Sequence, residues 1–341
     1  MIDFPRIRDL FNKQPFRLSE LMKVLVTGGA GFIGSNFARM FALETLEGVT
    51  GSDELIVLDS LTAESNLKNL DEIFDKSNFK FIHGDIGDAN LLRTILINVD
   101  YVINFAAESH VDRSITDPSS FIKSNVLGMH NLISLSMELG VKRFIQISTD
   151  EVYGSITHGS WDEYSPLLPN SPYAASKAAA DCIARSYFKT FGYDVIVTRC
   201  SNNYGSHQHT EKVIPHFIQQ VSSSANLTLY GDGKNSRDWL HVSDHCQAIW
   251  TVLRKGTSGE VYNIGGGLEL TNLELAQMIL SNFPNHSSKI DFVQDRKGHD
   301  LRYSVDYSKI SKLGYSPKVK FEDGLLETIN WYKNNLKDWQ A

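Results

Sequence analysis

The chain is short of several things, and each shortage narrows what it can be. It has three cysteines in 341 residues, Cys182, Cys200 and Cys246, with no Cys-x-x-Cys pair. An odd, scattered set gives neither a disulfide framework nor a zinc site, and it fits a reducing compartment. No apolar run approaches the ~20 residues that a membrane-spanning helix needs. Positive charge is scarce too: 33 Lys and Arg against 40 Asp and Glu leave a net charge of −7. That argues against a broad nucleic-acid or anionic-membrane surface. Residues 1–21 mix charged and apolar groups without an apolar h-region, so they read as an extension before the first domain and not as a secretory signal. No internal repeat or low-complexity tract is present. A cytoplasmic location is expected. What remains is an ordinary globular composition, 42% hydrophobic and 21% charged, in a chain long enough for a large core or two joined domains.

The pattern that follows is strand, Gly-rich turn, helix. A β-branched run over 23–27 leads into Gly28-Gly-Ala-Gly31-Phe-Ile-Gly34 and then a helical stretch to about residue 43. Glycines there permit a tight turn and let the backbone approach a pyrophosphate at a helix N-terminus. Asp59 ends the next apolar strand, 25 residues after Gly34, with 45–53 as an insertion that lengthens the spacing. A carboxylate at that place can accept both ribose hydroxyls of NAD and would repel a 2′-phosphate. Further strands at 79–83 and 101–105 end in Gly84-Asp85-Ile86 and in Ala106-Ala107-Glu108-Ser109. Asp85 could reach the adenine, and the small residues allow close approach to the cofactor. A long helix is expected over 118–139 and a buried strand over 141–148. Strands alternating with helices predict an α/β fold, a Rossmann-type doubly wound parallel sheet with right-handed crossovers.

Two stretches carry chemistry. The strand at 141–148 runs out into Thr149-Asp150-Glu151, a hydroxyl and two carboxylates where open α/β sheets place their active groups. Charges there are costly to desolvate unless paired or used. Then Tyr173-Ala-Ala-Ser-Lys177 opens a helix expected to reach residue 191, and its i, i+4 spacing puts the phenol and the ammonium on one face. An ammonium ~4 Å away offers at most about 4 kcal/mol at an effective dielectric of 20, roughly three pKa units, before desolvation is deducted. On that argument Lys177 brings the phenol into working range as a base. Beyond residue 195 the pattern changes. Strands at 195–198 and 261–264 look like parts of the main sheet, with irregular segments rich in ligand groups around them. The division expected is an extension at 1–21, an NAD-binding domain at 22–204 rejoined by 238–265, and a smaller substrate-binding lobe from 205–237 and 266–341. The pairs His241/His245 and His207/His209 lack a matched carboxylate or Cys set, so no metal site is expected.

These motifs resemble the extended short-chain dehydrogenase/reductases over about residues 22–335, and within them the nucleotide-sugar 4,6-dehydratase branch. The glycine turn and Tyr-x-x-x-Lys mark only the superfamily. The branch is marked by Thr149-Asp150-Glu151, Ala107-Glu-Ser-His-Val-Asp-Arg113, Arg199-Cys-Ser-Asn-Asn-Tyr-Gly205, Arg237-Asp-Trp-Leu-His-Val-Ser-Asp-His245 and Asp295-Arg-Lys-Gly-His-Asp300. The resemblance implies NAD as cofactor, held by Gly28, Gly31, Phe32, Ile33, Gly34, Asp59, Asp85, Ile86, Ala106, Ala107, Ser109, Tyr173, Lys177 and Asn203. It implies a nucleotide-diphosphate glucose as substrate, held by Ser109, His110, Thr149, Asn202, Lys212, Arg237, Asn272, Arg296 and His299. It also implies an order of events. C4 is oxidised with Tyr173 taking the O4 proton beside Thr149. Glu151 then removes the C5 proton while Asp150 protonates the departing 6-hydroxyl, and C6 is reduced to give a 4-keto-6-deoxy sugar. Like charges held close give a route to a protonated Asp150. The thymidine nucleotide is the expected substrate, with the uridine nucleotide or an epimerase or decarboxylase of the same fold as alternatives, and a silent NAD-sensing module as the non-enzyme reading. A homodimer through the helices near 121–139 and 173–191 is implied too. Two positions depart from the family pattern: Ser206-His207 stands where Pro-Tyr is frequent, and Thr210 where Pro is common.

Overall fold

Short runs rich in apolar residues solve their burial problem by pairing side by side, with the partly exposed run at 79–83 left at one edge. The computed structural model describes residues 21–284, 286–295 and 300–339. Its main sheet has the order β10-β6-β5-β4-β1-β2-β3. The strands are β1 (Lys23–Thr27), β2 (Glu54–Asp59), β3 (Phe79–His83), β4 (Tyr101–Asn104), β5 (Arg143–Thr149), β6 (Val195–Cys200) and β10 (Val261–Ile264). Every pairing is parallel. Strands paired this way are covered on both faces, which is why their sequences read as continuous apolar runs. One face packs against helices Phe32–Ala42 and Val242–Lys255, with Phe37, Phe41 and Trp250 buried between them. The other packs against helices Ala89–Ile95, Met129–Glu138 and Pro172–Phe191.

The strand order reverses between β1 and β4, and a crevice opens at the carboxyl ends where neighbouring connections diverge. Polar side chains cross the sheet beneath that crevice. Thr27 Oγ1 donates to Asn104 Oδ1 at 2.6 Å, Asn104 Nδ2 to Gln146 Oε1 at 2.8 Å, and Gln146 Nε2 to the Ile147 carbonyl at 3.1 Å. All three are buried in adjacent register positions of β1, β4 and β5. Buried polar groups survive only with such partners, so the ladder ties the three strands that carry the site.

A second core lies beyond the sheet. Strands β7 (Asn202–Tyr204), β9 (Ser236–His241) and β11 (Glu269–Thr271) form a three-stranded sheet, and β8 (Leu227–Tyr230) pairs with β12 (Ile290–Val293). Tyr204, Phe217, Trp239, Phe321, Leu325 and Tyr332 fill its interior. Within 238–265, the residues of β9 belong to this small sheet, whereas helix Val242–Lys255 and β10 pack with the large one. The two substrate-loop departures now have a physical setting. His207 adopts φ +68°, stacks on Trp331 at 4.4 Å and pairs with Asn69 Oδ1 at 3.2 Å, joining the smaller core to the larger. Thr210 lines the cleft between the cores. Residues 1–20 of the extension, and the two predicted ligands Arg296 and His299, lie outside the described residues.

The long helix expected over 118–139 is interrupted. Pro118–Phe121 is α, Ile122–Gly128 is π, and Met129–Glu138 is α again. The wider turn places Asn125 inward, where Nδ2 donates to the Glu108 carbonyl (3.0 Å) and to Ser176 Oγ (2.9 Å), while Oδ1 accepts from Glu108 N (2.8 Å). Such insertions cluster at functional sites. This one ties the β4 loop to the Tyr173 helix.

Candidate active site

The glycine turn is shaped first by chain packing. Gly28 has φ +67°, and a Cβ on it would lie 2.6 Å from Ala106 N, so only glycine lets the β1 and β4 loops meet. Asp59 closes the turn from the other side: Oδ2 accepts from Ala30 N and Oδ1 from Leu61 N, each at 2.8 Å. Gly28, Gly31, Phe32, Ile33, Gly34 and Asp59 line one cleft there, together with Asp85, Ile86, Ala106, Ala107 and Ser109. Thr149, Asp150, Glu151, Tyr173, Lys177 and Asn203 line its inner end. A glycine turn opening a helix, a carboxylate at the end of the next strand and a long slot between them fit a dinucleotide.

A second cleft of about 700 Å³ adjoins the first and is bounded by the smaller core. Ser109, His110, Asn202, Lys212, Arg237 and Asn272 line it, and Glu151 lines both clefts. Arg237 is not a loose fork. Nη1 donates to the Ser236 carbonyl (2.8 Å), Nη2 to the Asp300 carbonyl (3.0 Å), and the guanidinium stacks on the Tyr303 ring at 4.5 Å. Tyr303 lines the same cleft, donates to the Asp300 carboxylate and escaped the sequence reading. Asn125 and Glu64 escaped it as well. Glu64 accepts from Ser109 Oγ and from Arg113 at the mouth of the clefts, and Arg113 also reaches Glu211 at 3.4 Å. No local pattern marks these three; each becomes visible only when distant loops meet.

Thr149 ends β5 and caps a single 3₁₀ turn, Asp150–Tyr153. Its Oγ1 accepts from Glu151 N (3.3 Å) and donates to Asp150 Oδ1 (3.2 Å). Asp150 is 3% exposed, and its Oδ2 has no hydrogen-bond partner among the described residues. Burial, with Glu151 and then Asp238 adding like charge, pushes its carboxyl well above the usual range and so favours the acid form. Glu151 is half-buried and lines both clefts. Adjacent carboxyls thus have different surroundings, a condition that can set an acid beside a base.

Helix Pro172–Phe191 brings Tyr173 and Lys177 to the same place. Ser171 Oγ caps it by accepting from Ala174 N at 3.1 Å, Pro172 occupies its first turn, and Gly192 at φ +70° ends it. The expectation that Lys177 lowers the phenol's pKa is corrected here. Burial, followed by Glu151, raises Tyr173 well above its ordinary value. Lys177 Nζ instead donates to the Ile147 carbonyl at 2.7 Å, and burial lowers its own pKa. Desolvation outweighs the through-space attraction on which the spacing argument relied. Cys200 lies beside them, its thiol pushed up to about 12 by burial, an uncharged wall of the cleft.

The histidines have other work. His245 is fully buried, lowered to about 3 by desolvation, and pairs through Nδ1 with Asn203 Oδ1 at 2.9 Å. Asn203 Nδ2 donates to the Ser201 carbonyl, so a neutral His245 donating from Nδ1 fixes the amide that faces the first cleft. His241 pairs with Ser243 Oγ at 2.7 Å.

The fold and this site together define an extended short-chain dehydrogenase/reductase. The chain belongs to the GDP-mannose 4,6 dehydratase family, whose sequence model matches residues 25–328. A dTDP-glucose 4,6-dehydratase of Streptomyces niveus is 51% identical over 320 residues, covering 94% of this chain and 95% of the relative. The crystal structure of DesIV, a dTDP-glucose 4,6-dehydratase of Streptomyces venezuelae with NAD and dTDP bound, is 52% identical with a TM-score of 0.90, covering 94% of this chain and 99% of that one. A UDP-glucuronic acid 4-epimerase of Bacillus cereus has a TM-score of 0.86 at 28% identity, covering 92% of this chain and 99% of that one. The fold is therefore shared with enzymes of different outcome.

Proposed function

We propose that the chain is an NAD-dependent hydro-lyase that converts dTDP-glucose to its 4-keto-6-deoxy sugar. The observation that carries this reading is the pairing of a buried Asp150, its carboxyl pushed well above the usual range, with a half-buried Glu151 on one turn close to Tyr173. Curated relatives 51% and 50% identical and a solved structure 52% identical, each named dTDP-glucose 4,6-dehydratase, support it. NAD, when bound in the first cleft, supplies the hydride acceptor for C4 and the hydride donor for C6.

The chain's own residues handle the protons and the placement. Tyr173 receives the O4 proton as its phenolate, a form that burial opposes and that the Lys177 ammonium and the positive nicotinamide of bound NAD would favour, with Thr149 hydrogen-bonding the same oxygen region. Glu151 takes the C5 proton, and Asp150 gives its proton to the 6-hydroxyl as water leaves. Burial favours that transfer in a definite way: it keeps the acid form of Asp150 in place until a leaving oxygen develops charge beside Oδ2. Asp59 selects the unphosphorylated ribose, and the described parts of 205–237 and 266–339 hold the nucleotide sugar, with Arg237 on the diphosphate. Arg237, braced by two carbonyls and the Tyr303 ring, is pre-oriented for that task.

A homodimer fits the surface. Ile122 (47% exposed) and Leu127 (62%) lie on the π segment, and Phe191 (36%) ends the neighbouring helix. We place the enzyme in the cytoplasm; no helix among the described residues is long and apolar enough to cross a membrane. The deciding experiment incubates purified protein with dTDP-glucose, and in parallel UDP-glucose, following 4-keto product without added NAD. The thymidine substrate should turn over faster. No turnover of either, with bound NAD confirmed, would sink the proposal.

A further inference from the structure

The turn that holds Asp150 and Glu151 is too short to hold itself. A 3₁₀ turn of four residues has few internal hydrogen bonds, so its direction must be set at its ends. At the N-terminal end Thr149 does this. At the C-terminal end stands Tyr153, fully buried, stacked on Trp161 with ring centroids 6.3 Å apart and lying under the Arg199 guanidinium at 4.7 Å. Its hydroxyl accepts from Arg199 Nη1 at 2.7 Å and donates to Asn263 Oδ1 at 2.8 Å. Arg199 can only donate, so the direction of this chain is fixed: the phenol's one proton must go to Asn263. Asn263 in turn spends its Nδ2 on the carbonyls of Trp161 and Asp306, which fixes the amide orientation.

Arg199 has a second partner. Nε donates to Asp181 Oδ2 at 2.8 Å, and both side chains are fully buried. Asp181 stands four residues beyond Lys177 and eight beyond Tyr173 on the same helix. A buried ion pair is a weak source of stability, since an apolar replacement is often as good. This one is also incomplete, with Asp181 Oδ1 and Arg199 Nη2 both buried and without a partner among the described residues. What a rigid planar guanidinium does well is hold two partners at a set angle.

We propose that Tyr153, Arg199 and Asp181 are positioning residues that set the Asp150–Glu151 turn against the Tyr173–Lys177 helix, and so make elimination follow oxidation on one substrate pose. None of the three lines either cleft. They act through the turn, and their loss should show in one half of the reaction. The inference rests on the dehydratase reading above.

The test is Tyr153→Phe, which removes one hydroxyl from the network, with Arg199→Lys as a second variant that keeps the charge but not the fork. Single-turnover absorbance at 340 nm on mixing with dTDP-glucose reports oxidation, and 4-keto-6-deoxy product reports completion. A misplacement of about 1 Å can lower a rate ~100-fold. Completion should fall roughly 10- to 100-fold in Tyr153→Phe, the absorbance rise should stay within about threefold of wild type, and the reduced cofactor should accumulate. KM should change less than kcat, and the melting temperature of each variant shows whether it is folded. Completion at the wild-type rate in both folded variants, or oxidation and completion falling in step, would overturn the proposal. If wild-type protein itself shows neither signal, the dehydratase reading fails instead.

Discussion

The two halves of the site are built in opposite ways. Tyr173 and Lys177 sit on a capped helix of 20 residues, where regular hydrogen bonding fixes their spacing. Asp150 and Glu151 sit on a turn of four residues that depends on its neighbours. The difference suits the chemistry. On a helix, residues four apart share one face and so one environment, here the inner end of the first cleft. On a 3₁₀ turn, successive side chains diverge by about 120°, so adjacent carboxyls can be sent to different surroundings. Asp150 is almost fully buried where it lines the first cleft, and Glu151 is half-buried and lines both clefts. One turn thus gives two identical functional groups different surroundings.

Three substitutions would break or sharpen that contrast. The largest effect belongs to the helix: Tyr173→Phe removes the O4 proton acceptor and should lower both the 340 nm single-turnover signal and product formation by about 10³-fold. Retention of rapid oxidation would remove Tyr173 from that role. On the turn, Glu151→Gln should leave slow C4 oxidation but cut loss of the C5 hydrogen by about 10²-fold. Deuterium uptake at C5 in D2O measures this, and a wild-type exchange rate would assign the base elsewhere.

The smallest effect is one of stability. Asp150 has a folded pKa above its unfolded value, so its contribution to stability is greatest below the unfolded value of about 4 and declines as pH rises toward the folded one. Asp150→Asn should remove that decline, whose slope is at most about 1.4 kcal/mol per pH unit. Urea unfolding of both proteins at several pH values between 5 and 8 would measure it; parallel curves would mean that Asp150 is ionised in the fold.

Much of this was legible in the sequence where the signal is local. The strand at 261–264 and the helix through 191 needed only the local hydrophobic pattern. The glycine turn, Asp59, Thr149 to Glu151 and the Tyr–Lys pair are each contiguous or near-contiguous patterns with a physical reason. What stayed hidden depends on three-dimensional crowding. The raised pKa of Tyr173 follows from burial, which spacing does not report. Asn125, Glu64 and Tyr303 act between segments far apart in the chain, and a π turn has no compositional mark. The small sheet mixes residues near 203, 238 and 270, so the strand at 236–241 could not be assigned to one core or the other from its own pattern.

The π segment at Ile122–Gly128 has one further consequence. It accommodates an additional residue in a helix that remains continuous on either side. Deleting one residue there would restore the ordinary pitch, and because the wide turn already absorbs that residue, Met129, Leu132 and Ile133 would keep their place on the sheet. Asn125 would lose its reach to Glu108 and Ser176. Part of the site's geometry is therefore stored as chain length, a kind of information that a substitution scan, however complete, would pass over.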